Sequence, residues 1–293
     1  MVITAEMVKH LRDRTGAGMA DCKKALEAAE GNEDKAIDVL RKSGAASAAK
    51  RADRVAKEGV IVASISKDKH SGLLTEVNTE TDFVARNETF MQFAQEIADY
   101  ALGNNPGSHE DFLMTKLSNG ATISEEVGAQ TGRLGEKLEA RRFEMLTAGE
   151  GFVTSYIHPG SKLGVLVAIT GTTADKANIL GRDIAMQIAA MNPLALDRTS
   201  VDTETANREI EIYKTQARNE GKKEEFIERI AKGKLEKFYQ DNCLLEQSFI
   251  KDAGKTVTDL LKEDGPSTTV TGFIRMQLGE QKHHHHTEEA AAA

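Results

Sequence analysis

The sequence predicts an α+β protein: a three-helix amino-terminal bundle, two related α+β halves with antiparallel sheets, and an antiparallel two-helix hairpin. Three observations carry this prediction. Short amphipathic segments separated by helix-breaking turns fill residues 1–44. The stretch from Gly59 to Asn78 recurs from Gly151 to Thr170. Between Val201 and Asn242, long charged side chains surround a thin apolar stripe.

In residues 1–44, Thr4 caps the first helix, with Glu6 in its opening turn, and TGAG (Thr15 to Gly18) breaks it. Asn32 caps the third helix, Glu33 and Asp34 follow at its positive end, and Gly44 closes it. Residues 45–58, within SGAASAAKRADRVAKEG, are rich in Ala and carry Lys50, Arg51, Arg54 and Lys57. They read as a solvated helical linker rather than a nucleic-acid patch, because the chain as a whole is acidic.

Residues 59–148 form one half; residues 149–200 together with 243–279 form the other. GVIVASISKDKHSGLLTEVN aligns without gaps to GFVTSYIHPGSKLGVLVAIT, each a β-hairpin pattern followed by a loop and an apolar helix, MQFAQEIA or DIAMQIAA. GLLTEVN reads as a half-buried strand, and third strands are expected near Ala140 to Leu146 and Thr268 to Leu278. Each half is then a small antiparallel sheet covered by helix.

In residues 201–242, Ala206, Ile210, Tyr213 and Ala217 recur at helical spacing, NEGKK interrupts, and Ile227, Ala231, Leu235 and Phe238 share one face of a second helix. Two arrangements fit, an arm projecting from the body or two helices lying flat on the sheets. The narrow stripe favours the arm. Residues 280–293 include QKHHHHTEEAAAA, a purification remnant or disordered end; four adjacent histidines present no fixed metal geometry.

The 293 residues suffice for two or more domains, and the net charge of −8 argues against a broad basic face for nucleic acid. A protein partner or a small ligand is the better expectation. Cys22 and Cys243 stand alone, without metal spacing and in separate domains, so no disulfide between them is expected. The amino terminus lacks the apolar stretch of a signal peptide, and no run approaches the length of a membrane span; a soluble, cytoplasmic protein is expected. GxxxxGK[ST], GxSxG and HExxH are absent, and TGAG follows a helix rather than a strand, so it is a turn and not a dinucleotide loop. His10, His70, His109 and His158 have no nucleophile near them in sequence. No catalytic residue, cofactor or metal is predicted.

One short run stands apart. ETDFVARNETF, Glu80 to Phe90, puts Phe83 directly after a carboxylate at the boundary between a strand and a helix. The repeat supplies a control: where the first copy has TETDFVARNE, the second has GTTADKANIL, so the fold does not require the Asp-Phe pair. Phe83 either tucks under its own loop while Asp82 caps a helical turn, or stands outward as a recognition aromatic.

TDFVARN, with LRDRTGAGMADCKKAL, KSGAASAAKRADRVAKEG, FYQDNCLLEQSFIKD, KTVTDLL and TGFIR, closely resembles the bacterial translation elongation factor Ts family, from about residue 3 to 279. The resemblance implies a ubiquitin-associated-like three-helix domain, two related core subdomains and a coiled-coil hairpin. It implies a non-enzymatic guanine-nucleotide exchange factor for elongation factor Tu. Thr81, Asp82, Phe83 and Val84 match the family's segment that enters the G domain of Tu, where the aromatic wedges beside the magnesium site. Met19 and Lys23, one helical turn apart, match contact positions of the helical domain; Met19 as core residue and Lys23 as solvated charge is the alternative. His158, in YIHPG, matches a contact position of the core or is simply a turn histidine. Homodimerisation through the hairpin is a further expectation of the family.

Two departures limit the carry-over. Gln187 stands where some relatives have a histidine implicated in Tu binding, and after Gly279, where the family usually continues into a further helix that meets Tu, this sequence reads EQKHHHHTEEAAAA, so no contact through such a helix is carried over. Outside the family reading, a general protein-binding adaptor would bind without affecting a nucleotide, and a metabolic enzyme with a dispersed site would leave the Phe-bearing loop unexplained.

Overall fold

The structure, a computed structural model, describes residues 2–280; the histidine-rich tail from Gln281 onward lies outside the described residues. Three helices open the chain: α1 (Ala5–Thr15), α2 (Met19–Ala28) and α3 (Glu33–Lys50). Thr4 caps α1 by accepting the Met7 N–H, and Gly16, at φ 65°, ends it in the left-handed conformation that glycine adopts without penalty. Asn32 caps α3 through the Lys35 N–H. Val8, Leu11, Cys22, Ala25, Leu26 and Ala36 form the small core.

Helix α3 does not close at Gly44 as the sequence suggests, but runs on to Lys50. Its last turns are rich in Ala, the best helix former, and Gly44 is a crossing point rather than a stop. Gly44 itself is buried, and a Cβ there would lie 3.1 Å from the Ala129 Cα, whereas Ala52, Asp53, Arg54, Val55 and Lys57 beyond the helix are exposed.

The body comprises β1 (Glu58–Ile65), β2 (Ser71–Thr79), α4 (Asp82–Ala85), α5 (Glu88–Asn104), α6 (His109–Met114), α7 (Ile123–Leu134) and β3 (Glu139–Thr147), then β4 (Phe152–Ile157), β5 (Leu163–Thr170) and α8 (Ala174–Met191). The hairpin α9 (Thr203–Asn219) and α10 (Glu224–Asn242) follows, and β6 (Ser248–Phe249), β7 (Asp252–Thr256), α11 (Val257–Asp264) and β8 (Thr269–Gln277) complete the chain. Two antiparallel sheets result, ordered β1-β2-β3 and β4-β5-β8, beside a small β6-β7 pair.

The internal repeat holds at the level of register. The alignment equates Val60 with Phe152 and Val77 with Ile169, and the pairs Val60↔Val77 and Phe152↔Ile169 both form. A register shift falls at Glu76/Val77 in one half and at the matching Ala168/Ile169 in the other. The halves also meet reciprocally. Ile61 N–H donates to Ser161 O at 2.6 Å, and Val153 N–H donates to Lys69 O at 2.7 Å; these are the same two positions with roles exchanged. An approximate twofold axis therefore runs between the sheets.

Ile61, Leu74, Val153, Leu166 and Met276 fill the space between the sheets, while α5 covers the outer face of one and α8 that of the other. This four-layer arrangement corrects the reading of GLLTEVN. As the central strand between α5 and the second sheet, β2 is buried on both faces, Glu76 and Asn78 included. Glu76 accepts from Arg142 Nε at 2.6 Å, from Arg141 at 3.1 Å and from the Gly279 N–H at 2.9 Å, which ties the first half to the end of β8.

In the hairpin, α9 and α10 pack on each other through Ala217, Ile227 and Ala231, and the main contact of α10 beyond its partner is the turn at Leu244–Glu246. Arg198 clamps this base, bonding Glu236 and Glu246 and lying 5.0 Å over the Tyr239 ring. The arm arrangement is thus the one adopted.

Candidate functional site

Where β2 ends, Thr81 caps α4, a helix of four residues, by accepting the Val84 N–H at 3.4 Å. The cap is Thr81 and not Asp82, because the side chain that reaches back must precede the first helical residue. Asp82 instead pairs with Arg86 one turn on, at 3.0 Å and in solvent. Phe83 is 83 % exposed, the highest value among the aromatic side chains with large exposure, so it does not tuck under its own loop. Val84 and Ala85 turn inward to the core that includes Phe90 and Phe93.

The sister half shows how this turn arises. Asp82 aligns with Ala174, where α8 begins and then continues unbroken to Met191. In the first half the same helix is interrupted after Ala85, and Asn87 restarts it by accepting the Thr89 and Phe90 N–H groups. The first turn is thereby released as α4, with Phe83 on its outer side.

The turn is braced from a distance of more than fifty residues. Glu136 accepts from Thr81 Oγ1 at 2.7 Å, from the Thr81 N–H at 3.0 Å and from Thr79 Oγ1 at 2.9 Å. Glu80 accepts the Lys137 N–H at 2.6 Å and pairs with Arg54, contacts that hold its carboxyl below the ordinary carboxylate range. Lys137 Nζ in turn donates to Ala52 O and Arg54 O of the segment after α3. Sequence reasoning missed Glu136 and Lys137; GEK lies outside any periodic pattern, and only the fold brings it to the turn.

The other predicted residues lie elsewhere on the surface. Met19 opens α2 and is 45 % exposed outside the small core, and Lys23 is exposed beside Glu27. His158 sits in the β4-β5 turn, exposed, with Nδ1 2.9 Å from Tyr156 Oη. Gln187 is fully buried, donating to Gln247 and Ser248 O and accepting the Ile250 N–H, a structural role inside the second half.

Cys22 and Cys243 are buried free thiols, as expected from their separation in the chain. Burial pushes the Cys243 thiol up to about 11, with Glu246 and Asp197 adding to the shift, and raises Cys22 likewise. Among the described residues no group of three or more His, Cys, Asp or Glu side chains is placed to hold a metal, and no helix is long and apolar enough to cross a membrane.

Fold and turn together define a class: an α+β factor that presents its most exposed aromatic on a braced turn rather than packing it. Comparison with known proteins makes the class specific. The family model described as elongation factor TS matches residues 80–280. Elongation factor Ts of Chloroherpeton thalassium is 48 % identical over 286 residues, 95 % of this chain and 99 % of the relative. That of Chlorobaculum tepidum is 49 % identical over 284 residues, 94 % of this chain and 99 % of the relative. The chain belongs to the elongation factor Ts family, and is thus a factor of translation elongation in protein biosynthesis.

Proposed function

We propose that this chain is a guanine-nucleotide exchange factor for elongation factor Tu, and that it promotes GDP release by inserting the Asp82-Phe83 turn beside the Mg²⁺ and phosphate site of the GTPase. The observation that carries the reading is the exposure of Phe83 on a pre-formed turn. A large apolar ring held in water gains its burial only when a partner covers it. Mg²⁺ and loop amides hold the GDP phosphates, so displacing either loosens the nucleotide without a bond being made or broken by this chain. The chain acts in the cytoplasm and is not an enzyme in this reading.

One ring is insufficient by itself. Moving a GDP-bound equilibrium from 1:99 to 99:1 takes about 5.5 kcal/mol of differential binding, whereas burying one Phe yields about 1.5–3 kcal/mol. The remainder comes from Met19 and Lys23 on the three-helix unit, which is ubiquitin-associated-like in this reading, from His158 on the second half, and from the flanking Thr81 and Val84. The α9-α10 arm is a coiled coil that serves self-association, with Ile212 and Phe226 as its exposed apolar side chains.

Release of a fluorescent GDP analogue from elongation factor Tu, with and without the chain, tests the proposal. Acceleration that saturates with factor concentration is expected. No acceleration at saturation, with binding intact, would overturn the exchange reading and leave a protein-binding adaptor.

A further inference from the structure

The last turn of α7 and the two residues after its Gly135 cap reach both α3 and the Phe83 turn. Gly132 meets the backbone of α3: a Cβ there would lie 3.0 Å from the Gly44 Cα, so the two helices cross closely enough that a side chain at Gly132 would push them apart. Four residues later Glu136 holds the Phe83 turn, and Lys137 holds both Glu80 and the segment leaving α3. At the crossing, a cleft of about 540 Å³ runs between the three-helix unit and α7, lined by charged side chains such as Arg14, Arg41 and Glu126 and by the apolar Ile37 and Leu40. Orientation is thus set at the crossing and at the bonds just beyond it.

The chemistry at Thr81 gives Glu136 a defined task. A threonine hydroxyl has one proton and two lone pairs. Donating that proton to Glu136 Oε1 turns the lone pairs toward the Val84 N–H, which is the capping bond of α4. The second carboxylate oxygen takes the Thr81 N–H and the Thr79 hydroxyl, so the backbone entering the turn is held as well. A four-residue helix does not persist on its own, because nucleation costs more than one turn of bonds returns. Deprived of the fixed cap, α4 samples other conformations, and Phe83, its second residue, loses its aim.

We infer that Glu136 is a positioning residue: it orders the Phe83 turn before a partner arrives, while Gly132, four residues earlier in the last turn of α7, registers the three-helix unit to that turn. The inference rests on the exchange reading for its functional consequence, though the ordering of the turn does not.

Two measurements test it on the full-length chain. The sequence contains no tryptophan, so Phe83→Trp introduces a sole reporter, whose time-resolved anisotropy is compared with and without Glu136→Ala. Faster local motion in the Glu136→Ala chain is expected. Thr81→Val, which removes the hydroxyl and keeps the shape, should give the same result, and it serves should Glu136→Ala fold poorly. In GDP release from Tu, Glu136→Ala should lower the maximal rate about three- to tenfold, the scale of re-ordering a few side chains on binding, with half-saturation changed less. In the Phe83→Ala background it should cause little further loss, since its effect runs through Phe83. Unchanged anisotropy in both variants, or losses that multiply with that of Phe83→Ala, would overturn the inference. A wild-type chain that fails to accelerate release would refute the exchange reading alone, and the anisotropy would still decide whether Glu136 orders the turn.

Discussion

Phe83→Ala is expected to separate stability from the proposed exchange activity, because the ring is largely exposed. With 83 % of its surface already in water, the ring contributes less than a fifth of the ~1.5–3 kcal/mol that full burial of a Phe is worth. The expected cost is therefore about 0.3–0.5 kcal/mol, partly offset by the better helix propensity of Ala in α4. At about 2–4 °C per kcal/mol for a domain of this size, the melting temperature should fall by roughly 1–2 °C. Phe90, seven residues on and fully buried, is the internal control: Phe90→Ala should cost about 3–5 kcal/mol. In exchange the ranking reverses. Loss of ~1.5–3 kcal/mol of differential binding predicts maximal GDP release slower by about ten- to a hundredfold, while affinity for nucleotide-free Tu falls less because the other contacts remain. Thermal unfolding and stopped-flow release on the same preparations decide. A large drop in melting temperature for Phe83→Ala, with normal exchange per folded molecule, would refute the reasoning.

Glu76→Ala should destabilise the chain by about 3–5 kcal/mol in chemical denaturation, because it strands the buried Arg142 guanidinium without its carboxylate; replacing both with Leu should recover much of that loss. The Cys243 thiol predicts a pH effect. With its value raised from 9.0 to about 11 in the fold, the thiol is neutral in both states below pH 9, so its contribution is intact there. Between pH 9 and 11 only the unfolded chain ionises, and stability should fall by about 2 kcal/mol, a slope that Cys243→Ala lacks. Replacing residues 203–241 by a short linker should leave a cooperatively unfolding body, since Ala195 already bridges to Cys243 across the base of the arm; loss of cooperativity in calorimetry would show that the arm belongs to the core.

Local chemistry was the legible part. Caps such as Thr4 and Asn32, the left-handed Gly16, the hairpin repeat and the stripe of the arm all act over a few residues, and each appears where its pattern stands. What escaped was decided by distant partners. A glycine after an amphipathic stretch reads as a stop, and only the opposing Gly132 makes Gly44 a crossing point. Glu76 in GLLTEVN reads as a solvent-facing strand residue, but Arg141 and Arg142 arrive from a strand more than sixty positions later and allow it inside. The Phe83 turn was visible as an anomaly because the sister copy lacks it. Its exposure was not, since a ring beside a helix start fits either inward or outward packing. Glu136 carries no local mark of its role.

The break between α4 and α5 has a bearing on how such a protein can change over time. In the second half, one continuous helix both shields the sheet and leads out of it, so any drift in its packing against the strands also moves its first turn. In the first half Asn87 uncouples those duties. Core residues on α5, Phe90 and Phe93 among them, can exchange volume with the sheet and shift the axis of their helix while Thr81 and Glu136 keep the turn where it is. The Phe83 turn is thereby insulated from neutral variation in the interior, and the body can diversify without moving it.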